Sequence, residues 1–147
     1  YYTVRKHRLV YGGGGIMPDY FVPLDTMKFT RFHRQLAVKN IIMDAYLKYV
    51  DTNRKSLRAK YTAFDAFVKS YEVPENLIQN IVAEGKKQKI EPTDDAERER
   101  TIAYIKLQIK SLVARDIWNM NEYFRIWNEA SDIVKKALEV VGKPLPN

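Results

Sequence analysis

RFHRQLAVKNIIMDAYLKYVD, residues 31–51, is the stretch whose reading decides the fold class. Val38, Ile41, Ile42, Ala45, Tyr46 and Tyr49 recur at spacings of three and four, the period of a helix. Laid out at about 100° per residue the apolar arc is wide. Only Asn40, Asp44, Lys48 and Asp51 form a polar strip. Asp44 stands one turn before Lys48, the order that favours such a pair. A helix this apolar packs on several sides, so a continuous central helix is expected, with His33 on its polar side.

Helical signals continue toward the C-terminus. Arg54 to Lys60 is a basic extension, and Thr62 and Asp65 have the spacing of a capping box for a short helix through Tyr71. Pro74 sits where a helix opens, and Leu77, Ile78, Ile81 and Val82 carry it over 75–88. After a loop at 86–95, Thr93 is the expected N-cap of a long helix over about 94–119. Its first turn holds Asp94, Asp95, Glu97 and Glu99, charges that suit the positive end of a helix dipole. Its stripe is Ile102, Ile105, Ile109, Leu112, Val113 and Ile117. Ser131 caps a last helix that ends near Gly142.

Toward the N-terminus the composition changes. Tyr1 to Val4, Leu9 to Tyr11 and Tyr20 to Leu24 have strand composition, and Pro23 confines the last to an edge or a strand end. Two or three short strands do not make a stable sheet alone. The expected fold is therefore mainly α, with a short β remnant over residues 1–26 and a bundle of about five helices over 27–147.

An apolar fraction of 46% with 29% charged residues describes a globular chain rather than a disordered one. There is no cysteine, which excludes disulfides, zinc thiolate sites and a cysteine nucleophile. The chain opens on Tyr1 with neither an initiator Met nor a signal peptide, and reads as processed or as a piece of a longer protein. The net charge of +7 is uneven: residues 1–60 carry 12 basic and 4 acidic side chains, residues 61–147 carry 13 and 14. A basic front half suits nucleic acid or an anionic membrane surface, or else a solubilising surface or one facing an acidic partner domain. No nucleic-acid motif accompanies it, so a specific nucleic-acid site is not expected.

Little in the sequence marks catalysis. The run Gly12 to Gly15 lacks the Lys and hydroxyl of a phosphate loop, fails the dinucleotide spacing and is not followed by a helix. Glycines here permit positive φ and close backbone approach in a turn completed by Pro18 and Asp19. His7 and His33 have no ligand partner at metal-binding spacing, so no metal and no cofactor is expected. Ser56 with Lys60, and Ser131 with Lys135, are one turn apart, but Ser131 reads better as a cap. Asp116 falls on an apolar stripe and needs a partner there. Trp118, Tyr123, Phe124 and Trp127 form an aromatic cluster that is either core or a docking surface.

The sequence VYGGGGIMPDYFVPLDT, residues 10–26, resembles the carboxyl-terminal processing peptidases, or tail-specific proteases, in their Bacteroidetes-type branch. Leu9 to Tyr11, Gly12 to Gly15, Ile16, Pro18, Asp19 and Tyr20 to Val22 match the family's strand, glycine turn and following strand. Residues 50–61 and 114–141 are similar to its C-terminal helical region. Many members have a Gly-Arg turn before the glycine run, where this chain has Arg5, Lys6, His7 and Arg8. The resemblance implies the C-terminal segment of a serine endopeptidase of the bacterial envelope, periplasmic, which processes proteins near their C-termini by a Ser–Lys mechanism. The family's catalytic pair lies before this turn, so no catalytic residue is carried over. The implied partners are the catalytic and PDZ-like domains of the same protein and its protein substrates; separately, the unpaired backbone groups of the N-terminal strand edge suit pairing with a second copy. The competing reading is a stand-alone helical binding module whose basic surface takes nucleic acid or an acidic partner.

Overall fold

The computed structural model describes residues 1–4, 12, 13, 18, 20–23 and 29–143. Seven α-helices lie among them: α1 (Arg31–Val38), α2 (Ile41–Lys60), α3 (Phe64–Ser70), α4 (Glu75–Lys87), α5 (Asp95–Ile117), α6 (Met120–Glu129) and α7 (Asp132–Val140). The chain divides into two compact units, Asp25–Ala130 and Tyr1–Leu24 with Ser131–Asn147.

In the larger unit α5 packs against α1, α2, α4 and α6, and α2 also packs against α1 and α4. The core forms where their apolar stripes meet. Ile105, Ile109 and Val113 of α5 are fully buried, as are Tyr46 of α2, Ile81 of α4 and Phe32 and Leu36 of α1. One glycine matters to this packing. A Cβ on Gly85 would stand 2.7 Å from Leu36 Cδ2 and 3.3 Å from the Ile90 carbonyl oxygen, so its bare backbone lets α4 close onto α1.

The stretch at 31–51 is not one helix. Asn40 adopts the left-handed conformation (φ 57°), which ends α1 and starts α2 in a new direction. Asparagine tolerates that conformation because its short polar side chain relieves the cost. The break shifts the helical phase. His33, expected on the polar side, is buried, whereas Val38, expected on the apolar stripe, is 80% exposed.

The expected β remnant is corrected. No strand occurs among the described residues; Tyr2 makes a single isolated bridge, and Tyr20 to Pro23 are irregular. Leu9 to Tyr11 and Leu24 lie outside the described residues. Strand composition becomes a strand only against a neighbouring backbone, and Pro23 lacks the N–H that a ladder requires. The helix count of about five is likewise corrected to seven. The central helix divides in two, and α6 follows α5 after a break at Trp118 and Asn119.

In the smaller unit, Ser131 Oγ accepts from the Val134 N–H and caps α7, a helix none of whose residues is buried. Lys136 lies over the Tyr20 ring at 5.9 Å.

Candidate functional site

The N-terminus of α5 carries a buried polar node. Asp94, rather than Thr93, is the N-cap, and its Oδ1 accepts from the Glu97 N–H at 2.6 Å. The Glu97 side chain turns back. Its Oε2 accepts from the N–H and hydroxyl of Thr93 at 2.7 and 2.8 Å, and its Oε1 from the Phe32 N–H at 3.0 Å. One carboxylate thus satisfies open donors at the starts of two helices. Backbone N–H groups from Thr93 and Phe32 hold it at a pKa of about 2, against the usual 4.5. Thr30, the N-cap of α1, is hydrogen-bonded through its hydroxyl to Thr101 of α5 at 2.6 Å.

One turn further, the His33 Nε2 pairs with Gln108 Oε1 at 3.1 Å, while Nδ1 is buried without a partner among the described residues. The Gln108 carboxamide oxygen accepts, so Nε2 carries the hydrogen of that bond. Burial holds its pKa below 6.5, opposed by the Gln108 bond. Phe29 and Tyr104 meet the His33 ring edge-on at 6.4 and 4.9 Å.

From Tyr104 the aromatic contacts run onward to Trp127 at 5.5 Å. Trp127 stacks on Tyr123 at 5.7 Å, and Tyr123 meets Phe124 at 5.2 Å. Three of the four residues expected to cluster are therefore together, and only Phe124 is well exposed, at 48%. Trp118 goes elsewhere. Its ring neighbours are Phe64 and Phe67 of α3, at 5.6 and 5.5 Å. Nearness in sequence hid this split because Trp118 sits in the break between α5 and α6. The Asn119 side chain, which accepts from the Asn121 N–H at 2.8 Å, was the sequence signal for that second helix.

The candidate catalytic pairs do not assemble. Ser56 Oγ donates to the Asn53 carbonyl at 2.8 Å, and the Lys60 ammonium lies over the Tyr61 ring at 5.2 Å. Ser131 Oγ is occupied as a cap, and Lys135 pairs with Asp132 at 3.8 Å. Asp116 has its partner: the Tyr46 hydroxyl donates to Oδ2 and is itself within 3.0 Å of the Leu112 carbonyl, while Arg58 donates to the Asp116 carbonyl at 2.8 Å. Among the described residues no group of three or more His, Asp or Glu is placed to hold a metal ion.

In the glycine turn, Gly13 takes a φ of 95°, and a Cβ on Gly12 would stand 3.0 Å from the Tyr1 ring. Pro18 is described. His7, Gly14, Gly15 and Asp19 lie outside the described residues. None of the helices among the described residues is long and apolar enough to cross a membrane.

No curated protein and no solved structure matches the chain. Residues 32–119, from the second residue of α1 to the N-cap of α6, match the Family of unknown function (DUF8443). With that match spanning more than half of its length, the chain belongs to this family of unknown function.

Proposed function

We propose that the chain is the C-terminal, non-catalytic helical module of a serine endopeptidase that processes proteins near their C-termini in the bacterial envelope. The observation that carries this reading is the stretch at 9–26, whose residues resemble the glycine turn of the tail-specific proteases. Two features support it. The family match falls on the helical body and leaves the glycine stretch outside, as expected of a helical module appended to another domain. The serines of that module spend their hydroxyls on local backbone bonds rather than on a base, and serine is weak at its free pKa.

In this role the module braces or guides, while the Ser–Lys chemistry and the PDZ-like domain belong to the rest of the protein. The strand edge that would have paired with a second copy is not part of the proposal. The test is a cleavage assay on a C-terminally tagged unfolded protein. The chain alone should leave it intact, and the product of the whole reading frame should cut it near the tag. Cleavage by the chain alone that Ser56→Ala or Ser131→Ala abolishes would overturn the assignment.

A further inference from the structure

Arg31, Arg34, Gln35, Val38 and Lys39 fall at i, i+3, i+4, i+7 and i+8 of α1 and its C-cap, an exposed face beside buried Phe32 and Leu36. With Ile90 they line an open groove of about 290 Å³. The loop after α4 delivers Ile90, whose N–H returns to the Gly85 carbonyl at 2.9 Å. Gly85 itself lies against Leu36 of α1, so the loop that delivers Ile90 is held next to α1.

The lining is chemically one-sided. Among the described residues it holds three cations and no carboxylate. Among the described residues, none of the three makes an ion pair. Arg31 senses Glu97, but that carboxylate already accepts three hydrogen bonds. Between the cations Val38 stands 80% exposed, and the floor is the Ile90 side chain. From Arg31 to Lys39 the face runs about 12 Å, two turns of helix.

We infer that this face of α1 docks an acidic peptide segment, with an apolar side chain of the partner seated on Val38 and Ile90 and its carboxylates on Arg31, Arg34 and Lys39. Charge complementarity selects an acidic partner, and the apolar floor selects a peptide over a nucleic acid, whose phosphates need cations but no hydrophobic seat. The groove is at the small end of ligand sites, enough for an anchor side chain. A short helix laid along α1 would place carboxylates at successive turns, the helix-in-groove arrangement. This inference does not depend on the protease assignment, since it concerns binding by the chain alone.

The test is fluorescence anisotropy with a fluorescein-labelled peptide of about a dozen residues, two leucines one helical turn apart flanked by glutamates. Saturable binding is expected. Arg34→Glu should weaken it by about tenfold and Val38→Ser by about fivefold, since both sites lose a contact central to the anchor. Both positions are exposed, and unchanged circular dichroism shows each variant folded. Absence of binding, or binding that Val38→Ser leaves intact, would overturn the inference, because non-specific charge attraction does not sense a valine. Tighter binding of a fluorescein-labelled single-stranded oligonucleotide than of the peptide would overturn it as well.

Discussion

Replacing Glu97 with glutamine changes one buried carboxylate and nothing in shape. The carboxylate accepts from Phe32 N–H on one oxygen and from both Thr93 donors on the other. An amide retains one acceptor and presents an NH₂ at the other position. Either Phe32 or Thr93 then faces a donor instead of an acceptor. An unsatisfied bond to a charged group costs about 1.5–3 kcal/mol. The depressed pKa expresses the same hydrogen bonds. A fall from 4.5 to about 2 corresponds to about 3 kcal/mol, and about 2 kcal/mol after allowance for solvent screening. The sign follows from the direction of the shift. A depressed carboxylate stabilises the fold fully above pH 4.5, and this contribution is lost as pH falls toward 2. Thermal melts followed by circular dichroism should place Glu97→Gln about 6 °C below the unmodified chain at pH 7. The gap should shrink through pH 4 and close near pH 2, since glutamine does not titrate. Other acidic groups affect both proteins alike, so the difference isolates Glu97. Equal melting at pH 7, or a gap indifferent to pH, would refute the reasoning.

Two further outcomes are expected. Lys89 has a φ of 61° at the end of α4, where its N–H and that of Ile90 return to the Lys86 and Gly85 carbonyls in a Schellman closure. Lys89→Gly should therefore raise the urea midpoint, by about 0.5–1 kcal/mol of stability, and a lowered midpoint would contradict the strain argument. His33 is held neutral by burial, so the unfolded chain takes up its proton first, and the stability present above pH 6.5 is lost as pH falls below it. Between pH 7 and 5 the melting temperature should fall more steeply for the unmodified chain than for His33→Phe; parallel curves would show that His33 does not carry the effect.

Most of the helical body was legible where local chemistry is strong. Pro74 opens α4 and Ser131 caps α7 by signals confined to one turn, and Ile105, Ile109, Leu112 and Val113 of the α5 stripe are buried, with Ile102 and Ile117 half-buried beside them. The misreadings share a cause in context. Asn40 looked like one more polar residue of a continuous strip, and only its backbone reveals the break that buries His33 and exposes Val38. Thr62 and Asp65 have capping-box spacing, yet α3 begins after Ala63 with no side-chain cap. Tyr1 to Val4 and Tyr20 to Pro23 have the composition of strands and, without a neighbouring strand, do not form them. The groove on α1 was hidden for the same reason as His33. Arg31, Arg34, Val38 and Lys39 share a face in any helix, but only the break at Asn40 separates Val38 from the apolar stripe of Ile41, Ile42 and Tyr46.

The most direct measurement of the proposed role is the DNA sequence immediately upstream of the codon for Tyr1. The proposal predicts an open reading frame that continues in phase into a domain bearing a serine and a lysine as its nucleophile and base, with a PDZ-like domain in the same frame. A start codon at the edge of this chain, or an in-frame domain of another kind, would contradict it and leave a stand-alone binding module in its place.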